Sequence, residues 1–138
     1  KTLFIRVQAQ NNNAKLIADF LENESWVERV YYPGLKSHPN HNIAKMQMKG
    51  FGGMLSFDLV PEIDSKKFLL ELDLIKPTIS LAGIETTALS PSLTSHSLLT
   101  ETERLSQGIT LQMIRLSAGI ESIEDLKNDL LQSIKKQI

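Results

Sequence analysis

Three histidines, a glycine cluster, a Ser-His pair and one arginine have the types that could carry chemistry. His38 and His41 stand three apart, a spacing at which two imidazoles can share a metal ion. Pro39 lies between them, the chain has no cysteine, and His96 is the one further histidine, so a surface turn suits the pair better. Gly50-Phe51-Gly52-Gly53 has the composition of a phosphate cradle without its spacing. No G-x-x-x-x-G-K-[ST] is present, and a strand pattern follows it instead of a helix. Ser95-His96 sets a nucleophile type beside a base type. Sequence neighbours rarely reach the geometry needed, and nothing marks an orienting acid, so local hydrogen bonding is the better reading. Arg115 lies in an alternating run, opposite the apolar row, so its guanidinium leaves the core face. Its planar fork suits a carboxylate. A surface ion pair suits the same position and is the commoner fate of an arginine.

These residues need elements to hold them. Leu3, Val7, Ala14, Ile17, Ala18 and Leu21 recur at helical spacing and predict a helix from residue 3 to about 24. Asn11-Asn12-Asn13 falls within it and reads as its solvated face. Trp26 to Tyr32 reads as a strand closed by the turn Pro33-Gly34. A short helix over Asn40 to Met48 follows, then the glycine cluster as a hinge or tight turn. Leu55, Phe57 and Leu59 alternate with Ser56 and Asp58, the period of a half-buried strand. Asp64 caps a helix over Ser65 to Leu72, with Phe68, Leu69 and Leu72 facing inward. Residues 76–100 are irregular, with one short strand expected around Glu85 to Leu89. Glu101 to Gln107 forms a helix stopped by Gly108. Ile114, Leu116 and Ala118 form a second alternating strand. Ser122-Ile123-Glu124-Asp125 resembles a capping box ahead of a helix faced by Ile123, Leu126, Leu130 and Ile134. The sum is α+β, a two-layer sandwich with a small, mostly antiparallel sheet and helices on one face.

Composition sets the outer bounds. With 138 residues, 41% hydrophobic and 22% charged, the chain suits one soluble domain. Net charge is −1 and the cations are scattered, which argues against nucleic acid as the main partner. No apolar run reaches the length of a membrane span. The absence of cysteine fits a reducing compartment, and the expected location is cytoplasmic. The first residue is Lys rather than Met, and no signal peptide pattern follows, so a fragment or processed chain is expected.

Longer motifs add to this. Val30-Tyr31-Tyr32-Pro33-Gly34-Leu35-Lys36-Ser37-His38-Pro39-Asn40-His41 resembles Y-P-G-L-x-S-H-P-x-H of the pyridoxal-phosphate (PLP)-dependent Cys/Met-metabolism, or trans-sulfuration, enzymes. Met48 to Met54 is similar to M-x-G-F-G-G-M, and Ser80 to Glu85 to S-L-G-G-x-E, with Ala82 replacing a glycine. Ile114 to Glu121 is similar to [IV]-R-[LI]-S-[VA]-G-x-E, and Lys1-Thr2-Leu3 to the end of G-L-K-T-L. The motifs run in family order along the whole chain.

The resemblance implies that residues 1–138 are the small C-terminal domain of a fold type I PLP enzyme, starting in the helix that joins it to the cofactor domain. It implies a parent enzyme acting on a sulfur-containing amino acid, of cystathionine β-lyase type or, as alternatives, of cystathionine γ-synthase, O-acylhomoserine sulfhydrylase or methionine γ-lyase type. A stand-alone, non-catalytic binding module is the alternative of another class. PLP would belong to the parent, held by a Schiff-base lysine in its own PLP domain, with none bound by these residues. The full enzyme would be a homotetramer. Arg115 would take the substrate α-carboxylate, assisted by Ser80 and its backbone, and the chain would contain no catalytic residue and no metal ligand. Ile79 would be a specificity position, because members with γ-chemistry often carry Glu there.

Overall fold

The computed structural model describes residues 1–137. Helix α1 spans Leu3–Leu21, β1 Val27–Tyr31, α2 His41–Gln47, β2 Met54–Leu59 and α3 Ser65–Leu70. Strands β3 (Lys76–Pro77) and β4 (Thr87–Leu89) follow, then a 3-10 turn at Pro91–Leu93, α4 (Glu101–Ser106), β5 (Met113–Ser117) and α5 (Ile123–Lys135). The strands form one sheet in the order β1-β2-β5-β4-β3, antiparallel except for the β3–β4 pair. The sandwich expected from the sequence is the one observed.

The alternating runs build the centre of that sheet. Phe57 pairs with Ile114 and Leu55 with Leu116, and all four are buried in one core with the inner residues of α1 and α5. Trp26 is the hub beneath α1 and α3, with ring centroids 6.4, 6.5 and 6.2 Å from those of Phe20, Phe57 and Phe68. Burying such rings is the main favourable term for a core of this size. The opposite face carries the row Tyr31–Ser56–Arg115–Leu89, one residue from each of four paired strands.

Several local expectations are corrected. Helix α1 ends at Leu21, and its last carbonyls bond instead to the tight turn at Asn23 and Glu24. Asn13 is buried, not solvated: its amide donates to the carbonyls of Gly119 and Glu121 at 3.1 and 2.9 Å. Those acceptors lie over a hundred residues away, which helix propensity cannot register. Ser122 makes no side-chain cap bond; the complete capping box is Thr100 with Glu103, at the start of α4. Asp125 is one methylene shorter than the Glu that closes such a box. Strand β3 was not expected, because a two-residue pairing that includes Pro77 leaves no periodic signal.

Gly119 marks the tightest point behind the sheet. A Cβ there would run into the carbonyl of Ile84 and the Glu121 carboxylate, and would stand 2.6 Å from the backbone nitrogen of Thr86. The same backbone is already committed, since Gly119 N–H donates to Thr86 Oγ1 at 2.8 Å. Gly119→Ala is therefore expected to destabilise the domain by about 1–3 kcal/mol through overpacking against backbone that cannot withdraw. Thermal unfolding measures it, and an unchanged midpoint would show that the segment can part without loss.

Candidate functional site

Strand β5 carries Arg115 in the middle of the sheet, flanked by Ser56 on β2 and Leu89 on β4. The pattern that buries Ile114 and Leu116 turns the guanidinium to the other face, where it is half-buried. Its Nη2 donates to the carbonyl oxygen of Ile79 at 3.1 Å. Its Nε is buried and has no hydrogen-bond partner. Among the described residues no ion pair includes Arg115. A guanidinium has five N–H donors in a fixed fork, so most of its capacity stays uncommitted. The ion-pair reading of this residue therefore finds no partner. A shallow concavity beside it is lined by Tyr31, Met54, Leu55, Ser56 and Arg115.

Ile79 and Ser80 lie in the exposed loop between β3 and β4, so the loop and the fork meet at one place. The loop is fixed by side chains. Thr87 Oγ1 donates to Ser80 O at 2.7 Å, and Ala82 N–H donates to Ser117 Oγ at 2.9 Å. Gln10 Nε2 reaches Gly83 O at 2.6 Å. The Ile79 side chain is 71% exposed, which leaves it open to a ligand or another surface. Gln10, Thr87 and Ser117 escaped the sequence reading, since polar residues paired over long separations follow no period.

The other candidates stay apart from this place. His41 Nδ1 lies 2.8 Å from Pro33 O and its ring stacks on Phe51, while His38 Nδ1 accepts from Asn40 N–H at 3.1 Å. Among the described residues no group of three or more His, Cys, Asp or Glu is arranged to hold a metal ion. Ser95 Oγ and His96 Nδ1 are 2.7 Å apart on an exposed loop. That is the local bond expected of them.

Next to the fork, Tyr31 donates to Asp58 Oδ2 at 2.6 Å, Asp58 Oδ1 accepts from Thr110 Oγ1 at 2.7 Å, and Arg29 stands 4.9 Å over the Tyr31 ring. Burial, then the hydrogen bond and charge of Asp58, push the Tyr31 hydroxyl up to about 12. Burial, helped by the charge of Asp19, pushes Tyr32 up to about 12 as well. These are the chain's two tyrosines. Both phenols hold their protons more tightly folded than unfolded. Their contribution to stability is thus complete below about pH 10 and is lost as pH rises through about 12. Ultraviolet titration should show no phenolate step near 10 in the folded chain. A normal step there would contradict the Tyr31–Asp58 geometry.

A small antiparallel sheet backed by helices, with an unpaired guanidinium on its outer face, is an α+β domain of a kind that suits a carboxylate ligand. The comparisons narrow the class. Residues 1–135 match the model of the Cys/Met metabolism PLP-dependent enzymes, and the chain belongs to that family. It is 44% identical to cystathionine beta-lyase of Lactococcus lactis subsp. cremoris (strain MG1363), over 99% of this chain and 36% of that protein. It superposes on cystathionine gamma-lyase from Lactobacillus plantarum, complexed with L-serine, with a TM-score of 0.93 at 40% identity, covering 97% of this chain and 35% of that one. Cystathionine gamma synthase from Xanthomonas oryzae pv. oryzae, in complex with cystathionine, gives 0.91 at 38% identity, covering 99% and 35%. The chain thus spans about a third of the length of these relatives. Among the described residues no helix is long and apolar enough to cross a membrane.

Every lysine is exposed or half-buried in this chain.

Proposed function

We propose that this chain is the C-terminal, carboxylate-binding domain of a PLP-dependent trans-sulfuration enzyme, a C–S lyase of cystathionine β-lyase type. One observation carries the reading: Arg115 has a buried, unpartnered Nε and no acidic partner among the described residues. A buried donor without a partner is rare in folded proteins, and a substrate carboxylate would satisfy it. The PLP of the parent, held by its own PLP domain, would supply the electron sink that labilises bonds at the amino acid's α-carbon. This chain's residues bind and orient. Arg115 fixes the carboxylate, Ser80 stands beside the fork on the same loop, and together they set which bond at the α-carbon is aligned for cleavage.

Ile79 favours the β-lyase reading. Its carbonyl is bound to Arg115, while its apolar side chain offers no charge to a distal ammonium group. The relatives include lyases and a synthase at comparable identity, so γ-synthase, O-acylhomoserine sulfhydrylase and methionine γ-lyase types are the competing assignments. A homotetramer and a cytoplasmic location go with this reading.

The test is product analysis of the complete, PLP-loaded protein with L-cystathionine. Pyruvate with homocysteine supports β-elimination. Formation of 2-oxobutyrate with cysteine supports the γ-lyase type, and a requirement for an activated homoserine ester supports the synthase. No turnover with any of these would leave the non-catalytic module. The 138-residue chain alone is expected to be inactive with PLP and a thioether amino acid. Sustained release of thiol and keto acid from it would overturn the division of labour proposed here.

A further inference from the structure

Resting on the carboxylate reading of Arg115, we propose that Gln10 of α1 is a positioning residue for that fork, holding the β3–β4 loop so that the Ile79 carbonyl meets Arg115. Gln10 is 8% exposed and lies on the buried stripe that continues through Ala14, Ile17 and Leu21. An apolar residue would suit that stripe for packing alone. Gln10 instead sends its amide to the loop, to Gly83 O at 2.6 Å and, more weakly, to Ala82 O at 3.5 Å. It is placed there by a close approach of α1 to the sheet. A Cβ on Gly53 would stand 3.1 Å from the Cβ of Gln10, so the helix comes this near because position 53 has no side chain.

The loop needs such a hold. Ala82 has φ 61°, left-handed backbone that a non-glycine residue adopts at a cost. That conformation persists where surrounding contacts over-determine it. Ser117 takes the Ala82 N–H, Thr87 takes the Ser80 carbonyl, and Gln10 takes the Gly83 carbonyl. Ser117 and Thr87 belong to the sheet on which the loop lies. Among these three tethers Gln10 alone reaches the loop from a helix, so it fixes the loop's position over the sheet. With that hold removed, Ala82 can relax to negative φ, and the Ser80–Ile79 segment shifts away from Arg115. The fork then keeps its charge and loses its preset orientation.

The experiment uses the complete, PLP-loaded protein and the variants Gln10→Met and Arg115→Ala, singly and together. Methionine keeps the length of the side chain and removes both donors. Gln10→Met is expected to raise KM for L-cystathionine about five- to tenfold, the worth of one hydrogen bond, with kcat within about twofold. In the Arg115→Ala background it should raise KM no further, because the tether acts through the fork. Amide exchange of segment 78–85 should quicken in Gln10→Met while segment 13–21 is unchanged. An unchanged KM, an additive effect in the double variant, or unchanged exchange over 78–85 would each overturn the inference. If Arg115→Ala leaves KM unaltered, the carboxylate reading itself falls; if Arg115→Ala is impaired and Gln10→Met is not, the positioning role alone falls. Should Gln10→Met fail to fold, Gln10→Leu, which also lacks both donors and suits the apolar stripe, makes the same comparison.

Discussion

Arg115→Ala in the complete, PLP-loaded protein is expected to lower kcat/KM by about 30- to 5,000-fold, equivalent to ~2–5 kcal/mol for truncating one partner of a desolvated charge pair. The lower half of that range is favoured, because the side chain is half-buried in this domain and its field is partly screened. Most of the loss should fall in KM. A carboxylate keeps its charge from bound substrate to transition state, so the interaction contributes to both almost equally. A smaller loss in kcat follows from orientation, since a fork fixes rotation about the α-carbon as a point charge does not. Arg115→Lys should recover part of KM and little of kcat, because an ammonium keeps the charge without the planar pair of donors. Steady-state kinetics with L-cystathionine decides this, and an unaltered kcat/KM would return Arg115 to an ordinary surface charge.

Where Arg115 points was legible beforehand, and the reason is local. Ile114 and Leu116 must face the core, a strand alternates its side chains, and the residue between them has no other direction to take. The same logic placed Leu55, Phe57 and Leu59, and with them the central strand pair. Legibility failed where contacts are long-range and polar. Gln10, Asn13, Thr87 and Ser117 find partners by the way the layers stack, so their sequence neighbours carry no sign of it. Ala82 stands where the S-L-G-G-x-E pattern has a glycine, and its φ is positive. The cap of α4 was missed, although Thr100-x-x-Glu103 has the capping-box spacing and its full-length glutamate reaches back to the Thr100 N–H at 2.9 Å.

The largest stability effect is expected at Asp129, a buried carboxylate on the inner face of α5 that the apolar periodicity of that helix hides. Oδ1 accepts the backbone N–H of Asp73 at 2.8 Å and the amide of Gln132 at 3.0 Å; Oδ2 accepts the N–H groups of Leu74 and Ile75 at 3.0 and 2.7 Å. Three successive backbone donors at the approach to β3 therefore depend on one side chain. Asp129→Ala removes every acceptor and leaves Ile75, itself fully buried, without a partner for its N–H. Each orphaned donor costs about 1–3 kcal/mol, and partial entry of water should hold the total to about 3–5 kcal/mol. That is a large share of the ~5–15 kcal/mol by which a typical domain is stable. Asp129→Asn keeps one acceptor oxygen and turns an N–H₂ towards donors, so it should fall between Ala and wild type. The effect should reach the site as well. The segment that Asp129 holds leads through Lys76 and Pro77 into the loop bearing Ile79 and Ser80, so loosening it frees that loop at its upstream end. Urea titration measures the first consequence as a lowered midpoint at constant slope, and amide exchange over 73–85 measures the second. A variant that loses stability without faster exchange in 78–85 would show that the loop is held by its own tethers alone.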